Sequence, residues 1–284
     1  MPAHLKTYAM ISIAARLLLL FAVYTPQTAQ SFASRELLSK NRRSSNKKKL
    51  LPIKMSSWSD TWSDILKGGP KRWKVDDVEA KQKALTHITD ATSSSSDTPL
   101  RILCPLAGDD QFVHYAWSQG HDVTAIDIVP AALKAMRSQF GENSKEDWSS
   151  TSSNNSGTVC WKHKSGRATL YEGDMLIKRP ELQSSFDVVY DKDSFGAINF
   201  DMRSPYCQRL STFMKDDGVV YVEVKNKESG REFGPPYHVE ENDLMDEMSF
   251  GGAFDYVKGL GEVYPSKMVG MRQMGHILKR RLRK

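Results

Sequence analysis

The chain has 284 residues, a formal net charge of +6 and three cysteines. Residues 1–55 hold ten Lys/Arg and one acid, which leaves residues 56–284 with thirty basic and 33 acidic side chains. A general nucleic-acid-binding domain carries a basic face, so we expect no nucleic-acid partner. The cysteines are far apart and form no C-x-x-C pair, so neither a disulfide framework nor a metal site is expected.

The first 55 residues have the composition of a targeting leader. Residues 10–24 are mostly apolar, but Arg16 interrupts them and the run is short for a membrane span. Small residues follow at 28–31, and residues 31–54 are rich in Ser, Lys and Arg, as in organelle transit peptides. We expect a disordered signal-plus-transit leader for a plastid, with no membrane span after its removal. A secretory signal, or a cytoplasmic protein starting at Met55, is the alternative.

Residues 56–284 are predicted to form one α/β domain. Tryptophans at positions 58, 62 and 73 precede a helical pattern that begins at residue 75. A strand over 100–103, a turn over 105–109, a helix over 112–118 and a strand over 123–129 follow in order. This order predicts a right-handed β-α-β unit with parallel strands.

The two ends of this unit indicate a nucleoside site. Gly108 lies in the first strand-to-helix turn, and Asp127 ends the second strand about 19 residues later, close to the spacing of roughly 20 in ribose-binding sheets. A dinucleotide needs G-x-G-x-x-G, whereas Asp109 and Asp110 follow Gly108 and repel a pyrophosphate. The loop therefore favours S-adenosylmethionine over a nicotinamide cofactor.

The rest of the chain continues the alternation of strands and helices. Residues 91–99 and 138–157 are of low complexity and are predicted to be exposed loops. The further predicted elements are strands over 168–171, 186–191 and 219–224, helices over 203–214 and 240–248, and strands over 254–264 and 275–282. The last two strands are joined by a short loop, which predicts an antiparallel pair.

From about residue 58 onward the chain resembles the thiopurine S-methyltransferase family, which is related to thiol and halide methyltransferases. The motifs that carry the resemblance are Trp62, Trp73, Pro105-Leu106-Ala107-Gly108, Gln119-Gly120-His121, Asp127-Ile128, Leu170-Tyr171, Asp191-Lys192, Ala197-Ile198-Asn199 and Gly234-Pro235-Pro236-Tyr237. The resemblance implies a class I methyltransferase fold, Rossmann-like, with a mostly parallel seven-stranded sheet, a C-terminal antiparallel pair and helices on both faces. It also implies an S-adenosylmethionine-dependent enzyme.

The resemblance places a set of residues around the methyl donor. These are Trp62, Trp73, Leu106, Gly108, Asp127, Ile128, Asp174 and Met175. The two tryptophans belong to an N-terminal flap over residues 56–90, although they are also acceptable as core aromatics. Leu106 is implied under the methionine part, and Asp127 at the ribose. The pair Asp174-Met175 is implied at the adenine, with ordinary packing as the alternative for the methionine.

Two residues on the acceptor side are expected to be catalytic. Lys192 stands where the family has an arginine near the acceptor, and Asp191 is the first candidate for a general base, with His238 second. Asp191 has a plainer alternative, which is capping the helix that follows. Ala107 and Asp109 also replace the cysteine and lysine that the family has there.

These departures leave the donor site intact and alter the acceptor site. We expect a monomeric enzyme that methylates a small molecule other than a thiopurine, namely a thiol, a selenium compound or a halide. A catalytically silent binding protein and a nicotinamide-dependent oxidoreductase are the alternatives, and the missing second and third glycines count against the latter.

Overall fold

The computed structural model describes residues 58–69, 77–92, 98–141, 146–153, 158–231 and 234–282. These residues belong to one compact unit, residues 54–284. The predicted leader over residues 1–55 and the predicted flap residue Trp73 lie outside the described residues.

The described part of the chain forms a single sheet with helices on both faces. The strands are β1 Arg101–Pro105, β2 Asp122–Asp127, β3 Trp148–Ser153, β4 Thr158–His163, β5 Ala168–Glu172, β6 Phe186–Lys192, β7 Met214–Lys227, β8 Phe254–Tyr264 and β9 Met271–Arg280. The α-helices are α1 Trp58–Leu66, α2 Val78–Thr92, α3 Gln111–Ser118, α4 Pro130–Arg137, α5 Ser194–Ala197, α6 Phe200–Phe213 and α7 Glu241–Leu244.

The strand order is β3-β4-β5-β2-β1-β6-β7-β9-β8. The five strands from β5 to β7 in this order are parallel, and β9 and β8 follow as an antiparallel pair. The predicted α/β fold class is therefore confirmed, and all seven predicted strands are present. Apolar residues of α2, α3 and α4 pack on one face of the sheet, and those of α5, α6 and α7 pack on the other.

Two strands extend this sheet beyond the seven predicted ones. The prediction of an exposed loop over 138–157 was wrong for residues 148–153, which form β3 and pair antiparallel with β4. Trp148 anchors the strand, because its ring is buried 5.2 Å from that of Phe140 and 5.1 Å from that of His163. Strand β4 then pairs antiparallel with β5, so the extension covers the edge next to β5.

The helix predicted over 240–248 is much shorter in the structure. It begins with a capping box between Glu240 and Asp243, and α7 ends at Leu244. Asp246 ends the helical path because its carboxylate accepts the backbone N–H of Met248 at 2.7 Å, which is a turn. The result is a compact loop that leads into the buried start of β8.

Candidate active site

The turn after β1 uses backbone conformations that side chains rarely adopt. Leu106 has φ 46° and Gly108 has φ 56°. Glycine takes this conformation at no steric cost, whereas a leucine there costs about 1–3 kcal/mol and is held by its surroundings. Such strain concentrates at ligand sites. The turn ends where the Asp110 carboxylate accepts the N–H of Phe112 at 2.8 Å and caps α3.

The carboxylate of Asp127 joins this turn to the end of β2. It accepts the Gly108 N–H at 2.7 Å through one oxygen and the Val129 N–H at 2.8 Å through the other. Burial raises the pKa of Asp127, and these backbone hydrogen bonds oppose the rise. Each oxygen keeps a further lone pair for a hydroxyl. The structure thus brings Gly108 and Asp127 together.

The predicted adenine side lies at the neighbouring strand end. The Gly173 N–H donates to the Asp127 carbonyl at 2.9 Å, which ties the segment after β5 to the end of β2. Ile128 is 60% exposed, so an apolar side chain is accessible next to Asp127, the candidate ribose-binding residue. Asp174 is exposed, and its carboxylate accepts the Leu176 N–H. Met175 is buried in the core, which agrees with the alternative that it is an ordinary packing residue.

Trp62 on α1 lies against the same turn. It is buried, and its Cζ2 atom would be 3.6 Å from a Cβ built on Gly108. The predicted flap residue is therefore beside the predicted donor loop. An aromatic face is a favourable neighbour for a sulfonium cation, and a covering ring also excludes water.

We expect Trp62→Ala to weaken donor binding about tenfold while changing turnover at saturating donor much less. The ring contacts the donor loop, so its loss removes apolar and cation–π contact with the donor. Calorimetry with S-adenosylmethionine and steady-state kinetics measure the two effects. Trp62→Phe keeps an aromatic face and should recover most of the affinity. Equal affinity of all three proteins would reduce Trp62 to a core residue.

Asp191 lies near the end of β6. It is fully buried, and it accepts the Tyr206 hydroxyl at 2.7 Å and the Phe195 N–H of α5 at 3.1 Å. Burial raises its pKa to about 6, and both hydrogen bonds oppose this. The carboxylate has no exposed surface from which to meet an acceptor. This geometry favours the helix-capping alternative over the base.

The second base candidate has a similar placement. His238 is buried, and its Nδ1 accepts the Lys227 N–H at 2.9 Å while its Nε2 lies 3.1 Å from Glu240 Oε1. Both ring nitrogens are thus used in holding the loop after β7. A structural role fits this geometry better than proton transfer does.

Lys192 pairs with the acid that caps α3. Its Nζ lies 3.5 Å from Asp110 Oδ2, and its side chain is 8% exposed. Burial lowers the pKa of Lys192, but the charges of Asp110, Asp193 and Glu223 outweigh burial and raise it overall. The side chain is therefore a lasting cation between the donor turn and the end of β6.

The structure adds a polar cluster that the sequence reading did not include. Its residues are Asp193, Glu223, Lys225, Tyr264 and Gln273. Asp193 Oδ1 accepts the Gln273 amide at 3.0 Å, and Lys225 donates to the same glutamine. Glu223 accepts the hydroxyls of Tyr264 at 2.6 Å and Tyr221 at 2.8 Å. The sequence contains one indication of this cluster, because Glu223 and Lys225 are charged residues at alternate positions of an otherwise apolar strand.

Glu223 is a third buried acid with a raised pKa, after Asp127 and Asp191. Burial raises its pKa to about 7, while the Lys192 charge and the Tyr264 hydroxyl oppose the rise. Asp193 adopts φ 61°, so the backbone at the end of β6 is also left-handed. Strained backbone and titratable groups thus occur together at the carboxyl ends of β1, β6 and β7.

The Gly234–Tyr237 motif packs against this end of the sheet. The Tyr237 N–H donates to the Gly196 carbonyl at 2.7 Å, and its hydroxyl donates to Asn199 at 3.0 Å. Gly234 is required because any side chain there would overlap the Tyr237 ring. These hydrogen bonds hold together two motifs that are distant in sequence.

Within the described ranges, none of the helices combines the length and apolar character needed to cross a bilayer. Among the same residues, no group of three or more His, Cys, Asp or Glu side chains is arranged to hold a metal ion.

Comparison with known proteins identifies relatives of the chain. A family model described as thiopurine S-methyltransferase matches residues 54–268. Thiopurine S-methyltransferases of Aliivibrio fischeri and Stutzerimonas stutzeri are 24% identical over 143 residues and 29% identical over 126 residues. These matches cover 50% and 44% of this chain, and they span 62% and 50% of the relatives.

A solved structure shares the fold at lower identity. The 1,6-didemethyltoxoflavin-N1-methyltransferase of Burkholderia thailandensis, solved with bound S-adenosylhomocysteine, superposes with a TM-score of 0.57 at 17% identity. The match covers 79% of this chain and 87% of that one. At this identity the likeness shows the class I methyltransferase fold alone. The family match extends over more than half of the chain, and the chain therefore belongs to the thiopurine S-methyltransferase family.

Proposed function

We propose that this chain transfers a methyl group from S-adenosylmethionine to a small nucleophile. The observation that carries the proposal is the bond between the Gly108 N–H and the Asp127 carboxylate at the ends of two adjacent parallel strands. Ligands of such sheets bind at the carboxyl ends of the strands, where a terminal acid holds ribose hydroxyls. Family membership supports the same reading.

The residues present fit this donor better than a dinucleotide. Among the residues that the structure describes, a Cβ on Gly108 would meet only Trp62 within 4 Å, so a ligand can approach the backbone closely. Asp110 occupies the cap of α3, where a pyrophosphate would otherwise bind the helix N-terminus. Carboxylates there repel phosphate but attract a sulfonium.

The chain contributes alignment, water exclusion and charge. S-adenosylmethionine, when bound, supplies a methyl carbon already activated by its sulfonium. Asp127 and Gly108 orient the nucleoside, and Trp62 covers the turn. Lys192 holds a positive charge next to the donor turn, which attracts an anionic nucleophile.

The acceptor that fits these residues is a thiol, a selenium compound or a halide. Such nucleophiles are anions at neutral pH or become anions by losing one proton. Asp191 is wholly buried, so a mechanism that relies on it as a base is disfavoured. A cation at Lys192 suits an acceptor that arrives already ionised.

A methyl-transfer screen tests the proposal. Labelled S-adenosylmethionine is offered with hydrosulfide, iodide, bromide, small thiols, selenium compounds and a thiopurine, and calorimetry with S-adenosylmethionine and NADPH runs in parallel. We expect donor binding and transfer to one of the small anions. Donor binding without any transfer would indicate a silent binding protein, and NADPH binding an oxidoreductase.

We expect Lys192→Gln to lower kcat/KM for the accepted anion at least tenfold, with donor affinity nearly unchanged. Removing the cation removes its attraction for the nucleophile but no group assigned to the donor. Lys192→Arg restores the charge and should recover most of the rate. Lys215→Gln removes a charge from a side chain that is 43% exposed and serves as the control. Loss of donor binding in Lys192→Gln would contradict an acceptor-side role.

A further inference from the structure

The polar cluster holds a buried acid to which the proposed function assigns no role. Glu223 on β7 is 1% exposed and is the register partner of Lys192 at the end of β6. Its carboxylate accepts the Tyr264 hydroxyl at 2.6 Å and the Tyr221 hydroxyl at 2.8 Å. Because burial raises its pKa to about 7, Glu223 can take up and release a proton at neutral pH.

Tyr264 connects this buried acid to accessible space. Within the cluster, Glu223, Lys225 and Gln273 are buried, whereas Tyr264 is partly exposed. Tyr264 also borders a cavity of about 380 Å³. The cavity lies between residues 262–265, at and after the end of β8, and the start of α2, which contributes Asp77, Glu79, Ala80 and Lys83. A small molecule in this cavity therefore contacts the tyrosine, and the acid lies directly behind it.

The cavity lies at the same end of the sheet as the donor turn. Lys81, in the part of α2 that lines the cavity, donates to the side chain of Gln111 at 2.9 Å, and Gln111 directly follows Asp110 of the donor turn. Tyr264 is also close to this turn. Burial raises the pKa of Tyr264, and nearby carboxylates, including those of Glu223 and Asp110, raise it further. An acceptor in the cavity is thus near the donor.

The hydrogen bond to Glu223 decides what the Tyr264 hydroxyl can offer to an acceptor. A hydroxyl has one proton to donate, and here that proton is donated to Glu223. The lone pairs of the tyrosine oxygen are left to accept a hydrogen bond. A thiol has a hydrogen to donate to this oxygen, whereas a halide has none. The arrangement therefore favours an acceptor that arrives with a proton.

We propose that Tyr264 and Glu223 are a proton-accepting pair for an acceptor that enters the site as a protonated thiol. The S–H bond of the acceptor breaks, its proton goes to the Tyr264 oxygen, and the tyrosine's own proton passes to Glu223. The sulfur electron pair forms the new bond to the methyl carbon as the bond from that carbon to the donor sulfur breaks, leaving its electron pair on the donor sulfur. The proposal rests on the proposed function and adds protonated thiols to the ionised acceptors considered there.

The groups around Glu223 do not compete for this proton at neutral pH. The pKa values of Tyr264 and Tyr221 are raised by burial, so both tyrosines stay neutral. Lys192 is already protonated, because neighbouring carboxylates raise its pKa. The charged and titratable groups near Glu223 are Asp110 before α3, Tyr190, Lys192 and Asp193 of β6, Tyr221 and Lys225 of β7, Tyr264 of β8, and His87 of α2, which stacks on Tyr221.

Comparison of two acceptors tests the pair. Methyl transfer by the whole chain is measured with 2-mercaptoethanol, which is mostly protonated at neutral pH, and with iodide, which has no proton to lose. We expect Glu223→Gln and Tyr264→Phe each to lower kcat/KM for 2-mercaptoethanol about tenfold or more, and neither to lower it for iodide. Tyr256→Phe is the matched control, because that hydroxyl lies near the other end of β8, 3.0 Å from His276, and should change neither rate.

The pH profile with 2-mercaptoethanol gives a second readout that needs no halide. Glu223 accepts a proton only when it is ionised, so kcat/KM of the wild type should rise as pH increases to about 7 and level off above it. In Glu223→Gln only thiolate formed in solution can react. Its kcat/KM should therefore keep rising toward the pKa of the thiol.

Each other outcome counts against the pair. Equal losses with both acceptors would mean that the two residues only support the structure, and no loss in Tyr264→Phe would mean that protons leave by another route; either result overturns the proposal. If Glu223→Gln does not fold, Tyr264→Phe and its pH profile decide. Transfer to iodide but not to 2-mercaptoethanol overturns this proposal alone, whereas donor binding without transfer to any acceptor overturns the proposed function as well.

Discussion

Asp127→Ala is expected to weaken S-adenosylmethionine binding by about 1–3 kcal/mol, which is a rise of about five- to 150-fold in Kd. The carboxylate has two tasks at this point. In the proposed function it accepts the ribose hydroxyls, and in the structure it accepts hydrogen bonds from the backbone N–H groups of Gly108 and Val129. The substitution therefore removes a ligand contact and loosens the donor turn. Calorimetry with S-adenosylmethionine measures the effect directly.

Two further variants separate these tasks. Asp127→Asn keeps an oxygen for one of the backbone N–H groups and should lose less affinity than the alanine variant. Asp122→Asn changes an acid at the opposite end of the same strand, β2, and should bind the donor like the wild type. Wild-type affinity in Asp127→Ala would remove the ribose role.

Asp191→Ala is expected to lower the free energy of unfolding by about 2–4 kcal/mol. The change leaves the Tyr206 hydroxyl and the Phe195 N–H buried without an acceptor, at about 1–3 kcal/mol each. In thermal unfolding the effect should appear as a fall in Tm of roughly 5–15 °C. Asp217→Ala, at an exposed position on β7, should stay within about 0.5 kcal/mol.

Asp191→Asn distinguishes the structural role from the catalytic one. The amide keeps an acceptor for Phe195 and carries no charge, so the variant should fold and retain most methyl transfer. A general base contributes about 10²- to 10⁴-fold, so a loss of that size would restore the base assignment.

The same substitution should change the pH dependence of stability. Burial raises the pKa of Asp191 from 3.8 to about 6, so its contribution is fully present below about pH 4 and is lost as pH rises through about 6. The free energy of unfolding, measured with denaturant between pH 4 and 6, should therefore fall less steeply with rising pH in Asp191→Asn than in the wild type. An unchanged slope would contradict the raised pKa.

The strands with the strongest signal in the sequence are those buried on both faces. Apolar runs in β1, β2, β6 and β7 stand out because helices cover both faces of the parallel centre of the sheet, so most side chains there are apolar. Strand β3 could not be found in this way. Its residues 149–153 are all Ser or Thr, and pairing with β4 together with the burial of Trp148 outweighs their loop-like composition.

The candidate site likewise contains some residues that could be predicted from the sequence and others that could not. Gly108 and Asp127 were predictable because both belong to one β-α-β unit, in which spacing along the chain fixes position in space. The contacts of Lys192 with Asp110, and of Asp193 with Gln273, were not predictable. These pairs are about eighty residues apart and meet only when β1, β6 and β9 join one sheet. Likewise, Asp191 is buried because α6 packs over it, and the residues next to Asp191 in the sequence do not show this.

The position of Trp62 next to Gly108 gives the chain an optical reporter of its own. Indole emission responds to charge and polarity around the ring, so a sulfonium bound at the donor turn would change the wavelength and the intensity of the Trp62 emission. Trp117 and Trp148 lie in a separate aromatic cluster around Phe140, with ring centroids 5.0 and 5.2 Å away, and supply a steady background. If the donor binds as proposed, its binding should be detectable by fluorescence of the unlabelled chain, on the timescale of mixing rather than of product accumulation.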